Sequence, residues 1–138
     1  MRLLSVPREQ LGEVWPEVHH WIDAAADHSG GWWDEGIILD RIADGVAWLW
    51  VISDGWELHG AVVTEVEDAP SGRSTAIISI CGGKDMRRWL HLISGIEAWA
   101  RRIGCEAIEV RGRKGWERVL KGYAPVSVTL RKELSHEH

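Results

Sequence analysis

A glycine pair followed by basic residues is the feature of this sequence best suited to chemistry. The stretch ICGGKDMRRW, residues 80–89, ends an apolar run and opens a helix-like pattern with Arg87 and Arg88 in its first turn. Main-chain N–H groups at a helix start, aided by the helix dipole, can hold a phosphate. The same residues also suit a tight structural turn over 81–85, in which Asp85 is the N-cap of the helix. The sequence leaves an anion-binding loop and a structural turn both open.

Overall charge disfavours nucleic acid as a general partner. The 138 residues carry a net charge of −5, whereas nucleic-acid-binding domains carry a basic excess. One local cluster departs from this balance and is interpreted either as the solvated face of a short helix or as an anion-binding patch. It consists of Arg111, Arg113, Lys114, Arg118 and Lys121.

The cysteine pattern and the termini narrow the class further. Cys81 and Cys105 have no metal-type spacing, so no metal site is predicted and both are expected to be small buried hydrophobes. No apolar run approaches the roughly 20 residues that cross a bilayer, and MRLLSVPREQ lacks signal-peptide features. We expect a cytoplasmic protein with no membrane partner, a single domain over 1–134 and a polar tail over 135–138.

Helix-period spacing identifies the segments that must position these residues. Apolar residues recur at intervals of three and four in each helical segment, and Pro16 interrupts the first, giving a kink or two shorter helices. The predicted helices span 8–28, 34–44, 86–103 and 115–122. Ten tryptophans accompany one tyrosine and no phenylalanine, so tryptophan is expected to fill most large core positions, with Trp32 and Trp33 partly exposed at a groove or interface.

Apolar runs and alternation predict the strands of a mixed sheet. The predicted strands span 46–52, 56–67, 74–81, 106–110 and 125–134, and Asp54-Gly55 predicts a two-residue hairpin turn. The order α-α-β-β-β-α-β-α-β predicts an α/β fold with five or six strands and helices on both faces. Strands 74–81 and 106–110 are expected to run parallel through a right-handed crossover. Cys81 and Cys105 then lie at opposite sheet edges, too far apart for a disulfide.

Three stretches of this pattern match one family. They are WLWVISDGWELHGAVVTEVE at 48–67, with Gly60 midway, EAWARRIGCEAIEVRGRKGWERVL at 97–120 and KGYAPVSVTLRKEL at 121–134. These resemble the second and third strands, the region of the main helix and fifth strand, and the closing segment of the GNAT superfamily of acyl-CoA N-acyltransferases. Gly122-Tyr123 takes the place of the family's Gly-Phe pair. The resemblance covers about residues 35–134, with a looser similarity to compact GNAT-like proteins of phage genomes.

The resemblance implies a fold that binds acetyl-CoA and transfers its acyl group to a small-molecule or protein amine. The family places Gln/Arg-x-x-Gly-x-Gly/Ala before its main helix to hold the coenzyme A pyrophosphate. Here the segment is shorter and lacks that motif, and Asp85 sets a carboxylate where the pyrophosphate would lie. The implied donor-binding residues are Ile80, Cys81, Gly82, Gly83, Lys84, Arg87 and Arg88, with N–H groups near Ile80 polarising the thioester carbonyl.

The acid and base positions implied by the resemblance are equally incomplete. Glu65 and Glu67 are the candidate general bases, since strand alternation puts them on one face with Val63. The alternative is that both are solvated residues at the end of a strand. Where the family often has an acid tyrosine, Arg118 stands here, and a common asparagine is replaced by Arg113 or Lys114.

Two functions therefore compete. One is an acyltransferase with a degenerate pyrophosphate loop. The other is a non-catalytic GNAT-fold module that binds a protein partner through segment 32–50 or 113–121, since a fold does not fix a function.

Overall fold

One mixed sheet organises the part of the chain that the computed structural model describes, residues 1–27, 34–111, 119–126 and 130–135. Its five strands lie in sequence order. They are β1 (Arg2–Ser5), β2 (Ala47–Ser53), β3 (Leu58–Asp68), β4 (Ser74–Gly83) and β5 (Ala107–Val110). Neighbours pair antiparallel except β4 and β5, which are parallel. The predicted mixed sheet and its parallel crossover are confirmed, whereas β1 was not predicted because its short sequence pairs only through the distant β2.

Four α-helices flank the sheet in the described chain. They are α1 (Leu11–Ala26), α2 (Glu35–Ala43), α3 (Met86–Trp89) and α4 (Ile93–Arg102). Pro16 lies inside α1 without ending it. The predicted helix over 86–103 is divided, because a 3-10 turn at Leu90–Leu92 separates α3 from α4. The division follows Trp89, whose backbone leaves the helical region at φ −129 while its side chain is fully buried.

The helices bury two separate cores. Helices α1 and α2 cover one face of the sheet, where Ile22 and Ile38 pack with strand residues such as Val63. Helices α3 and α4 cover the other face, where Trp89 and Ile96 pack with residues such as Val62. The expectation of helices on both faces is confirmed. Burying a large aliphatic side chain contributes about 1.5–3 kcal/mol to folding, so both cores stabilise the packing of the helices on the sheet.

The structure differs from the prediction in one loop and at the last predicted strand. The β2–β3 loop spans the four residues 54–57, since Ser53 pairs with Leu58. The two-residue turn is therefore wrong. Asp54 Oδ1 accepts hydrogen bonds from the Trp56 and Glu57 N–H groups at 2.7 and 2.9 Å, which fixes the longer loop. At the other end of the chain, the described residues of the predicted strand 125–134 form no strand.

Several expectations concern residues outside the described ranges. They fall on half of the predicted helix 115–122, on the Trp32-Trp33 pair and on three residues of the basic cluster. Within the described chain, Trp50 and Trp89 lie in the core, but Trp56 is 96% exposed. The two cysteines, both described, form no disulfide, as predicted. A search of the described helices finds none with the length and apolar character needed to span a membrane.

Candidate functional site

Strand β4 extends beyond the end of β5, and it contains a bulge at Ser79. The parallel pairing extends from Thr75 with Ala107 to Ile78 with Val110, and β4 continues to Gly83. On its other side, Val63 pairs with Ile80 and Thr64 with Ile78, which leaves Ser79 without a partner on β3. A bulge of this kind bends a strand and redirects a side chain, and such bulges are common beside active sites. Residues 79–83 thus lie beyond the part of β4 that pairs with β5, and they begin at the bulge.

Glu65 pairs with Ile77 close to this bulge, and its side chain lies on the face that α2 covers. Ser79 Oγ donates to Glu65 Oε2 at 2.9 Å, and Arg41 of α2 donates to Glu65 Oε1 through Nε at 2.5 Å. The Glu65 side chain is 13% exposed. These three side chains help line a pocket of about 10 Å³ with Ile38, Ala47 and Val63, close to the volume that one water needs. The Glu65 carboxylate is thereby held by two side chains next to the bulge of β4.

Sequence reasoning identified Glu65 but missed Arg41 and Ser79. Arg41 did carry a signal, because it falls on the same helical stripe as the buried Ile38 and Ile42. A cation on an apolar stripe needs a buried or half-buried partner. Ser79 carried no signal, since the bulge that frees it depends on the pairing register between β3 and β4.

Glu67 is placed differently from Glu65. Its side chain is 59% exposed and pairs with Arg111 at 2.6 Å. The hydrogen bond from Arg111 lowers the pKa of Glu67. Its predicted role as a base stays a prediction, and the exposed ion pair with Arg111 contributes little to stability.

The glycine segment is sheet rather than turn. Cys81, Gly82 and Gly83 pair with Val62, Ala61 and Gly60 of β3. The link from β4 to α3 is therefore only Lys84 and Asp85, and the predicted turn over 81–85 is too long. The pairing with β3 therefore occupies one side of the backbone of residues 81–83.

The predicted N-cap role of Asp85 is also wrong. Asp85 has a left-handed backbone, φ 54 and ψ 40, and makes no side-chain hydrogen bond to α3. An N-cap needs an extended backbone so that its oxygen reaches the N–H two or three residues on. Asp34 shows that geometry at α2, with φ −133 and its carboxylate accepting from Ile37 N–H at 2.9 Å.

Close packing explains the glycines of β3 and β4. A Cβ on Gly83 would lie 2.3 Å from His59 O, and one on Gly60 would lie 2.6 Å from Trp89 Cζ2. A Cβ on Gly82 would lie 3.0 Å from Trp21 O. The missing side chains therefore admit neighbouring protein atoms, and the donor-binding role that the resemblance implies for this segment stays a prediction.

Charged residues surround the short link. Lys84 Nζ pairs with Glu57 Oε1 at 2.9 Å, and His59 Nε2 lies 2.7 Å from Asp54 Oδ2. The pKa of Asp54 is lowered, chiefly by the hydrogen bond from the Glu57 N–H and then by His59. Arg87 is exposed, as is the adjoining Arg88, and the ion pairs of the described residues include neither arginine.

The close grouping of Asp54, Glu57 and His59 has the donor types of a metal site. Metal at His59 Nε2 would move the ring proton to Nδ1, which is buried and has no hydrogen-bond partner among the described residues. A ligating histidine normally donates its second N–H to an acceptor. Lys84 also already neutralises Glu57. The geometry therefore favours a structural role over a metal site: Asp54, Glu57 and His59 form hydrogen bonds and ion pairs that hold the β2–β3 loop next to Lys84.

The opposite face of the β4–β5 gap is apolar and closed. Side chains from β4, β5 and the helices leave no room for a water molecule there, and they are Ile78, Cys81, Leu90, Ile93, Val110 and Leu120. Tyr123, which packs against the same core, donates its hydroxyl to Glu97 Oε2 at 2.7 Å. Burial, followed by the bond to Glu97, raises the pKa of Tyr123. Tyr123 is thus held protonated on α4, on the face opposite Glu65.

Comparison with known proteins identifies the fold. No family model matches the sequence, and no curated protein matches it. A solved structure described as a probable acetyltransferase matches with a TM-score of 0.71 and 15% identity, covering 99% of this chain and 100% of that one. A GNAT family acetyltransferase from Staphylococcus aureus matches with a TM-score of 0.66 and 13% identity, covering 97% and 100%.

An enzyme of named substrate class matches as well. It is an aminoglycoside acetyltransferase from an uncultured soil metagenomic sample, with a TM-score of 0.69 and 11% identity, covering 97% of this chain and 96% of that one. Identities this low show the fold alone. The chain has the GNAT fold, as the resemblance predicted, and the looser resemblance to phage proteins has no support in these comparisons.

Proposed function

We propose that this chain is a GNAT-type N-acyltransferase in which Glu65 is the general base. The observation that carries the proposal is the Glu65 carboxylate held by Ser79 where β4 bulges and leaves β5. The acetyltransferase descriptions of several structural neighbours support the reaction class. The aminoglycoside acetyltransferase among them supports a small-molecule amine as acceptor and an acyl-CoA thioester, such as acetyl-CoA, as donor.

The proposed reaction needs one proton acceptor at the amine. The amine nitrogen attacks the thioester carbonyl carbon, a C–N bond forms and the C–S bond breaks. Glu65 takes the proton that the nitrogen loses, directly or through one water in the adjoining pocket. A proton is then returned to the departing thiolate, so that the products are an amide and a thiol. Each carboxylate oxygen has two acceptor sites. Glu65 therefore keeps acceptor capacity beside the bonds from Arg41 and Ser79.

A substrate panel with a matched pair of variants tests this proposal. The chain would be incubated with acetyl-CoA and a set of aminoglycosides and simple polyamines, following thiol release and the mass of the acylated product. Loss of a general base typically lowers kcat by about 100-fold to 10,000-fold. We expect Glu65→Gln to fall in that range and Glu67→Gln to stay within about threefold of the parent. Full activity in Glu65→Gln would contradict the assignment of the base.

A second function is favoured by the closed link after β4. Lys84 and Asp85 replace a longer loop, and the backbone of β3 packs directly on Gly83. These features suit a non-catalytic GNAT-fold module that binds a protein. Ligand stabilisation distinguishes the two functions. A thioester donor at 100 times its Kd would raise the free energy of unfolding by about 2.7 kcal/mol. Absence of any thermal shift with millimolar donor would favour the binding module.

A further inference from the structure

We infer that the Arg41 guanidinium occupies the position that the acceptor's ammonium takes at Glu65, so that the acceptor binds by exchanging one cation for another. The acceptor class is then a primary amine on an alkyl chain that arrives protonated, and neutral aromatic amines are excluded. This inference rests on the proposed acyltransfer function. It narrows that function to one class of acceptor and names the side chain that must move.

The first reason is the way in which the Glu65 carboxylate is held. Arg41 contacts its Oε1 atom through both Nε and Nη2. The other oxygen, Oε2, accepts from Ser79 Oγ at 2.9 Å. Ser79 can therefore keep Oε2 in place while Oε1 exchanges one cationic donor for another. An alkylammonium has three N–H donors and no acceptor, so it can replace the guanidinium at Oε1.

The second reason is the surroundings of this carboxylate. The Glu65 side chain is 13% exposed, and the adjoining pocket is lined by the apolar side chains of Ile38, Ala47 and Val63. Removing one partner of a poorly solvated ion pair is costly, because the other charge is left uncompensated. A neutral amine that displaced Arg41 would leave Glu65 in that state, whereas an ammonium would replace the lost charge. The site therefore selects acceptors that carry a positive charge.

The third reason is the small volume of the pocket. Its volume of about 10 Å³ is close to that needed by one water, so an amine with a carbon chain enters only if a lining side chain moves. Ile38 is 2% exposed, whereas the Arg41 side chain is 41% exposed. A long flexible stem lets an arginine turn its charged end toward water. Arg41 is thus the lining side chain whose movement admits the acceptor.

The backbone of α2 is held near both ends, which favours rotation of the side chain over displacement of the helix. Near its start, His19 Nδ1 of α1 lies 3.0 Å from Glu35 Oε2. Near its end, Arg8 Nη1 donates to Ala43 O at 3.1 Å. Lifting α2 would break these contacts, whereas a rotation of Arg41 leaves them intact.

The proton balance follows from an acceptor that arrives charged. The bound ammonium must lose two protons to become an amide. Glu65 takes the first and releases it to solvent, which leaves a neutral nitrogen to attack the thioester carbonyl carbon. The second passes to the departing thiolate as the C–N bond forms and the C–S bond breaks. The products are an amide, a thiol and one proton in solution.

Chemical rescue of a truncated arginine tests the inference without any acyl donor. Arg41→Ala should lower the Tm of the 138-residue chain by about 3–8 °C. Rising concentrations of methylammonium chloride should restore most of that loss, because a ligand that binds the folded state at Glu65 stabilises it. Sodium chloride and tetramethylammonium chloride at equal concentrations should restore none, since neither cation carries an N–H donor.

Two variants serve as controls for the rescue. The double variant Arg41→Ala/Glu65→Gln should respond to methylammonium no more than to sodium. Arg111→Ala removes the partner of the exposed Glu67 and should be equally insensitive, because water already solvates that carboxylate. Absence of rescue in Arg41→Ala, equal rescue by sodium, or rescue that persists in the double variant would overturn the inference and leave the proposed function standing.

The parent chain gives a second measurement that needs no variant. The Arg41 Nε–H resonance would be followed by NMR as ethylammonium chloride is added, with tetramethylammonium chloride as the control. We expect ethylammonium alone to shift this resonance, because the guanidinium leaves Glu65. A resonance that stays unchanged, or that responds equally to both cations, would contradict the exchange.

Activity with acetyl-CoA separates the acceptor class from the proposed function. Arg41→Ala should lower KM for an alkylamine about tenfold, the factor that corresponds to 1.4 kcal/mol, and neither chain should acylate an aromatic amine. A raised KM in the variant, or comparable turnover of an aromatic amine, would overturn the inference while the acyltransfer function stands. Absence of turnover with every amine would overturn the proposed function, and a positive rescue would then show a cation site without that role.

Discussion

Strand β4 has two regions with opposite character, at Ser79 and at Gly82-Gly83, three to four residues apart. At the bulge, Ser79 is released from its pairing with β3 and its hydroxyl meets Glu65 beside a pocket of about 10 Å³. At the glycine end, a Cβ on Gly83 would lie 2.3 Å from His59 O, and one on Gly82 would lie 3.0 Å from Trp21 O. Side-chain hydrogen bonds define the first region and main-chain contact defines the second. A single strand can therefore hold a carboxylate partner at a bulge and pack its backbone tightly a few residues farther on.

The largest expected effect comes from adding one methyl group at the glycine end. Gly83→Ala places a Cβ 2.3 Å from His59 O, and overpacking against backbone should destabilise the fold by about 3 kcal/mol. Gly12→Ala is the matched control, because no described atom lies within 4 Å of its new Cβ. That helical change should be neutral or stabilise by up to about 1 kcal/mol. Urea unfolding measures both, and a loss below about 1 kcal/mol for Gly83→Ala would mean that the glycine end is loose.

The bulge region should respond to the loss of Arg41. The Arg41→Ala variant leaves the nearly buried Glu65 charge with Ser79 as its remaining polar contact in that cluster. The expected cost is about 1–2 kcal/mol, between exposed and buried pairs.

A double-mutant cycle isolates the interaction, and Glu65→Gln in the Arg41→Ala background should recover part of the loss. The exposed pair of Glu67 and Arg111 is the control, with an expected coupling under about 0.5 kcal/mol. Equal coupling in the two pairs would remove the distinction between Glu65 and Glu67.

The two helix starts give a smaller contrast of opposite sign. Asp34→Ala removes a real cap at α2, so stability should fall by about 1 kcal/mol. Asp85→Gly relieves a left-handed backbone at α3, so stability should rise by about 0.5–1 kcal/mol. Thermal unfolding of both variants measures the pair. A destabilising Asp85→Gly would show that this carboxylate makes a contact that the structure lacks.

The smallest effect concerns pH at the loop beside the glycine end. Hydrogen bonds from the Glu57 N–H and from His59 lower the pKa of Asp54 below its ordinary value of 3.8. The folded state then binds fewer protons than the unfolded state, so this contribution is present above pH 3.8 and is lost as pH falls further. Asp54→Asn should therefore lower the urea midpoint by a constant amount at pH 5–7, and the difference should shrink below pH 4. A difference that persists unchanged in acid would contradict the role of the charge.

Much of the fold was predictable because its elements have local causes. Alternation and apolar runs located β2, β3, β4 and β5, and helical spacing located α1 and α2. The helix–strand succession after β4 predicted the parallel pair. Strand β1 was missed, since Arg2–Ser5 becomes a strand only by pairing with Val51 and its neighbours.

Part of the candidate site was equally predictable. Glu65 emerged from alternation on β3, and its position on the face covered by α2 agrees with that reasoning. Arg41 was visible as a cation among Ile38 and Ile42, although nothing local pointed to its carboxylate partner. The division of the helix at Trp89 was hidden, because its stripe of apolar residues runs on unbroken.

The sequence by itself determined the order of elements, the two apolar helix faces and the presence of a carboxylate on the central strands. Only the tertiary structure decided what the glycines and the carboxylate do. Gly82-Gly83 has the same sequence whether it cradles a phosphate or packs on neighbouring backbone, and the difference lies in atoms of Trp21 and His59 that are distant along the chain. Likewise, the bulge at Ser79 arises from the register between two strands. Local propensity acts over a few residues, whereas register and close packing are set by partners that folding brings together.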